Sequence, residues 1–141
     1  MQMEQRFQVG KMMGEQMQSC IAACTTCHGV CLETIQQCLK MGGKHVEPAH
    51  IRMLMDCGEI CQTSGNFMLR GSDFSGYTCG VCAEVCQRCA KDCDRFGDDQ
   101  MMQRCEEACR MCAHSCSKMA EHFNHSHMEG TTNIEEICLL R

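Results

Sequence analysis

Sixteen of the seventeen cysteines in this chain recur every three, four or seven residues, in four separate runs. Cys20, Cys24, Cys27, Cys31 and Cys38 form the first run, and Cys57 and Cys61 a short second one. Cys79, Cys82, Cys86, Cys89 and Cys93 form the third, and Cys105, Cys109, Cys112 and Cys116 the fourth. At about 3.6 residues per turn, alternating steps of three and four return to one face of a helix. Each run therefore covers an arc of roughly 60–80° and takes the seam positions normally held by Leu and Ile in a bundle. His50, Met53 or Leu54, Ser64 and Met68 continue the stripe of the second run. The pattern aims sixteen thiols at one common axis.

The rest of the sequence fits helices. Gly42 to Pro48, Arg70 to Gly76 and Phe96 to Asp99 are breaks, with Pro48 suited to a first helical turn and Asp98 and Asp99 to a helix start. Between the breaks lie Gln, Glu, Met, Ala and Lys, and no stretch alternates with period two. The spacing predicts helices over about 15–41, 48–70, 74–95 and 98–123. Short connections between long helices favour antiparallel neighbours, so the expected fold is all-α, an up-down-up-down four-helix bundle with a Cys-lined core. Residues 1–123 form that bundle, with a Met-rich extension over 1–14 that either prolongs the first helix or makes a separate turn. Residues 124–141 are expected to be a flexible polar tail.

Val, Ile, Leu and Phe together number only 22 of 141 residues, about 16%. Such a fraction normally indicates disorder, so a folded chain must build its interior from its 17 Cys and 14 Met. Cysteine buries less apolar area than leucine, at about 25 cal/mol per Å², and packing alone does not explain that sacrifice. The net charge of −5, with 13 scattered Lys and Arg, speaks against a nucleic-acid partner. No apolar run approaches the roughly 20 residues of a membrane span, so no membrane partner is expected. The N-terminal residues show no export signal, and a cytoplasmic location is expected. In a reducing compartment, many cysteines point to metal or redox chemistry more than to disulfides.

Rows of thiolates suit a soft, monovalent ion. Structural zinc uses closed tetrahedra of four ligands, and ferredoxin-type clusters need loop spacings that this chain lacks. Cu(I) favours thiolate and thioether and accepts two or three sulfurs. Thiols three or four residues apart on a helix have Cβ atoms about 5–6 Å apart, a span that such an ion bridges. One monovalent ion per thiolate also cancels the charge of the row. A zinc tetrathiolate leaves two negative charges, and no basic residue lies on the stripes. The expected function is storage of multiple Cu(I) ions, with zinc or other thiophilic-metal buffering as the alternative and an Fe–S or redox protein behind it. No nucleophile–base pair, phosphate loop or pair of catalytic carboxylates suggests an enzyme.

Over residues 15–120 the sequence resembles the bacterial four-helix-bundle copper-storage proteins, in their cytosolic branch. The resemblance rests on the four cysteine runs and on the segment from Pro48-Ala49-His50-Ile51-Arg52 through Cys57-Gly58-Glu59-Ile60-Cys61. It implies Cu(I) held between core cysteine pairs, with His, Met or Asp at one open end admitting the metal, and assembly into a homotetramer. Family members often carry a histidine-rich turn before the fourth helix and a histidine three residues before the first cysteine of the second. Here those places read Gly97-Asp98-Asp99-Gln100-Met101-Met102 and Met53-Leu54-Met55-Asp56. Thioethers thus stand in for imidazoles, and His50, Met53, Met101 and Met102 join the sixteen cysteines as expected ligands. Antiparallel topology gathers Cys38, Met41, His50, Met53, Cys93, Met101 and Met102 at one end, the expected mouth. Met13, Met17, Met68, Met119 and Phe123 gather at the other as a hydrophobic plug. His28 and His114 read as surface residues, and Cys138 as outside the core. The closing segment from Ile134 to Leu140 is a candidate for docking on a neighbouring subunit, a copper chaperone or a compartment shell.

Overall fold

The computed structural model describes residues 3–127, with side chains described over 14–123. Among the described residues, four antiparallel helices, α1 (Met3–Met41), α2 (Pro48–Leu69), α3 (Ser75–Asp94) and α4 (Gln100–His127), are joined by short connections, with a 3-10 turn at Gly43–Val46. Each helix packs on its two neighbours around a ring, α1 on α2 and α4, and α3 on α2 and α4. This is the expected up-down-up-down bundle, and no strand occurs among the described residues. The Met-rich extension prolongs the first helix, which starts at Met3 and runs through Gly10 and Gly14. The fourth helix continues to His127, so the first residues assigned to the tail are helical. The remainder of that tail, with Cys138, lies outside the described residues.

Local chemistry sets the turns. Gly42 and Gly43 adopt φ of 71° and 57°, a left-handed backbone that side chains resist, which lets the chain leave α1 and re-enter at Pro48. Asp99 starts α4 by accepting the backbone N–H groups of Met101 and Met102 on Oδ1 at 3.1 and 3.2 Å. Between helices, Gly58 and Gly65 of α2 face the cysteine stripe of α1 with room for ordinary side-chain contact. A Cβ at these positions would stand 3.5 Å from the Cβ of Cys31 and 3.8 Å from that of Cys24. At the far end, Phe123 covers Gly76, where an added Cβ would lie only 2.5 Å from the phenylalanine's own.

The interior follows the three-four rhythm without a break. On α1 the buried stripe is Cys20, Cys24, Cys27, Cys31, Thr34 and Cys38, so Thr34 fills the step between the last two cysteines. Its hydroxyl is satisfied by donating to the Val30 carbonyl at 2.7 Å. On α2 the stripe reads His50, Leu54, Cys57, Cys61, Ser64 and Met68. Met102 and Met119 bracket the cysteines of α4. The core is thus a sulfur column finished at both ends by other side chains.

Candidate metal centre

All sixteen cysteines of the four runs are free and buried. Their sulfurs touch from helix to helix. Cys20 and Cys116 are 3.6 Å apart, Cys24 and Cys116 3.5 Å, and Cys24 and Cys112 3.7 Å. Further along, Cys61 lies 3.7 Å from Cys112 and 3.6 Å from Cys86. Cys57 lies 3.6 Å from Cys86 and 3.7 Å from Cys109, and Cys27 reaches Cys109 at 3.7 Å. Quartets whose sulfurs all fall within 4.8 Å of one another include Cys24, Cys82, Cys112 and Cys116, and also Cys31, Cys89, Cys105 and Cys109. The quartets overlap, since Cys61, Cys82, Cys86 and Cys112 form another. Sulfurs shared in this way suit bridged ions better than isolated sites.

The electrostatics follow from burial. Most of these thiols are pushed up from their ordinary pKa, Cys61, Cys86, Cys89, Cys109 and Cys116 among them, by proton sharing with neighbouring thiols and then by desolvation. The other six, Cys24, Cys27, Cys57, Cys79, Cys82 and Cys105, are pulled down by neighbours that donate to them, as Cys112 and Cys116 do toward Cys24, which falls to about 6. The only buried polar or charged residues are Thr34, His50, Ser64 and Ser75, so no buried Lys or Arg offsets a row of thiolates among the described residues. A metal-free column therefore stays mostly protonated, and metal must displace protons as it enters.

At the expected mouth, three donors of different chemistry meet. His50 Nε2 lies 3.5 Å from Cys38 Sγ, which lies 3.9 Å from Met102 Sδ. All three residues are fully buried. The Cys38 thiol is pushed up to about 11, first by burial and then by the negative neighbours Asp99, Cys105 and Asp92. Of the other two thioethers, Met53 is half-buried beside the stripe position that Leu54 occupies, and Met101 is half-buried next to the buried Met102. Neither is brought to Cys38 as Met102 is. Met41 is 54% exposed. His28 is a half-buried interhelical tie, its Nδ1 2.8 Å from the Gly58 carbonyl, whereas His114 is exposed as expected.

Sequence reasoning missed the shell around this mouth. Phe96 lies between His45 and His50, its ring tilted against theirs with centroids at 4.7 and 4.6 Å, and Lys44 sits over its face at 4.7 Å. His45 Nε2 pairs with Asp99 Oδ2 at 2.8 Å, which holds the Asp99 carboxyl below the usual range. The short turn before α2 is thereby latched over the end of the column. Phe96 follows Cys93 at the next step of the stripe, a signal that could have marked it as a lid.

At the other end Ser64 Oγ is 3.4 Å from Cys79 Sγ, and Cys79 points at Met68 Sδ 3.7 Å away. Met68 and Met119 are buried, while Met17 and Phe123 pack partly buried against them and the core. Met13 lies outside the described side chains.

Comparison with known proteins agrees with this reading of the core. A solved protein of Nitrosospira multiformis is 50% identical, with a TM-score of 0.74 over 77% of this chain and 98% of its own. Cu(I)-bound copper storage protein BsCsp3 is 31% identical, with a TM-score of 0.70 over 74% of this chain and 98% of its own. A cytosolic copper storage protein of Streptomyces lividans with five coppers is 27% identical, with a TM-score of 0.69 over 79% of this chain and 97% of its own. The pattern that defines the copper storage proteins matches residues 13–121, and the chain belongs to that family.

Proposed function

We propose that this protein stores Cu(I) in the cytosol, using the sixteen buried cysteines as ligands along the column and Cys38, His50 and Met102 as the site that first receives the ion. The observation that carries the reading is the burial of every one of these thiols with no buried cation among the described residues to balance them. A buried unpaired charge costs several kcal/mol, and one monovalent ion per thiolate removes that cost along the whole column. Met53 and Met101, half-buried just outside, fit a passing role for incoming metal. The work is binding and release, not catalysis. Cytosolic storage draws support from the Streptomyces relative, and no described helix is long and apolar enough to cross a membrane. A homotetramer belongs to the same proposal, with the exposed Leu32, Leu39, Val81 and Met111 as apolar surface for it.

Zinc is the second reading, favoured by one measurement. Sulfur separations of 3.5–3.9 Å match the edge of a tetrahedron built on zinc–sulfur bonds of about 2.3 Å, roughly 3.8 Å. Charge decides against it, because each zinc tetrathiolate keeps two negative charges in an interior with no buried Lys or Arg among the described residues. Anaerobic titration of the reduced protein with Cu(I) and, separately, Zn(II), followed by native mass spectrometry, tests the choice. Cu(I) should load far beyond four ions per chain and displace any zinc. Stoichiometric zinc that resists Cu(I) overturns the proposal.

A further inference from the structure

We propose that Asp92 is a positioning residue that keeps the proton of His50 on Nδ1, so that Nε2 offers its lone pair to Cu(I) beside Cys38 and Met102. The proposal rests on the storage reading and extends it to a residue outside the ligand set. His50 is fully buried at the start of α2. Its Nδ1 lies 2.5 Å from Asp92 Oδ2, while Nε2 faces Cys38 Sγ at 3.5 Å. An ionised carboxylate only accepts hydrogen bonds, so the nitrogen beside it must carry the proton. In a neutral imidazole the other nitrogen is then free, and it is the one that points into the sulfur column. Phe96 packs against the imidazole at a tilt, with ring centroids 4.6 Å apart.

Arg95 makes the arrangement one-sided. Its Nε and Nη2 both donate to Asp92 Oδ1, at 3.0 and 2.7 Å, and its Nη2 also lies 3.9 Å from Glu47 Oε2. One oxygen of Asp92 is therefore held by a guanidinium and the other by His50. In Asp92→Asn the guanidinium retains the carbonyl oxygen, because it can only donate. The amide NH2 is then left facing Nδ1, which must accept, and the imidazole proton moves to Nε2. A change of one oxygen to nitrogen would block the ligand atom without touching Cys38, His50 or Met102. A carboxylate that merely fastened α2 to α3 would have no such effect on the ring.

The test reads the tautomer directly. Long-range proton–nitrogen correlation spectra of the full-length, reduced, metal-free protein give the state of each His50 nitrogen, assigned by the signals lost in His50→Gln. The wild type should show a protonated Nδ1 and a bare Nε2, and Asp92→Asn the reverse. Arg95→Leu should keep the wild-type pattern. Asp92→Asn combined with Arg95→Leu should restore it, since the freed amide can turn its oxygen to Nδ1. On Cu(I) loading the wild-type Nε2 signal should shift and that of Asp92→Asn should not. Loss of such an outer-shell partner typically weakens a metal site about 10–100-fold, read here as earlier loss of the last-bound ion to a Cu(I) chelator. An unchanged tautomer in Asp92→Asn overturns the proposal, as does a wild-type ring protonated on Nε2 or an Nε2 signal unmoved by copper. The wild-type spectra alone decide it should Asp92→Asn fail to fold. A wild-type chain that takes up no Cu(I) overturns the storage reading and the ligand half of this proposal, even where metal-free spectra uphold the proton's position.

Discussion

At the Cys38 end the sulfur column finishes in His50 and Met102, backed by Asp92 and covered by Phe96, whereas at the Cys20 end it finishes in Ser64, Met68 and Met119. Both ends place a thioether against a terminal thiol, 3.9 Å at Cys38 and 3.7 Å at Cys79. The thioether is therefore not what distinguishes them. What differs is an imidazole oriented by a carboxylate, under a lid tied down by side-chain contacts, against a hydroxyl under packed methionine and phenylalanine. In the proposed function, the first arrangement serves ion exchange and the second closure of the interior.

Three tests probe the difference between the two ends, the strongest being removal of each covering ring. Truncating a buried phenylalanine costs about 3 kcal/mol or more, so Phe96→Ala should lower stability by roughly that amount and also speed Cu(I) transfer from a chelator. Phe123→Ala should lower stability without changing transfer. Equal acceleration in both variants, followed by stopped-flow absorbance, would show that metal passes either end.

A smaller effect concerns protons. Cys38 stays protonated below about pH 11, so an ion bound there displaces a proton. The affinity of the mouth should then fall about tenfold for each pH unit of acidification, about 1.4 kcal/mol. Chelator competition at several pH values, read for the last-bound ion, checks the slope, and a pH-independent affinity would remove Cys38 from the ligands. The smallest effect is expected from paired thioether swaps. Met102→Leu and Met68→Leu conserve volume and should each cost less than about 1.5 kcal/mol. Only Met102→Leu should loosen the last-bound ion in native mass spectra, and equal losses would make the two ends equivalent.

Helical periodicity made most of this legible. The three-four spacing placed all sixteen cysteines inside, because a stripe of that width has nowhere else to point. It could not choose between Met53 and Leu54, one residue apart, since the arc of a stripe is wider than one residue and the choice depends on how α2 is rotated against its neighbours. Asp92 gave no signal, because an acidic residue beside Cys93 looks like any solvated helix position. Its reach to His50 comes from the crossing of α2 and α3, which periodicity does not specify. The pairing of His45 with Asp99 was hidden for the same reason, being made by two turns far apart in sequence.

The touching sulfurs of the column lie as little as 3.5 Å apart. Two sulfurs on opposite sides of an ion stand further apart than two sharing the edge of a tetrahedron, which is roughly 3.8 Å at zinc–sulfur bonds of about 2.3 Å. Filling is consequently a matter of volume as well as charge, and guests that enter must swell their host, as atoms do when they intercalate a layered crystal. The extra room must come from thiols swinging to new rotamers or from helices easing outward.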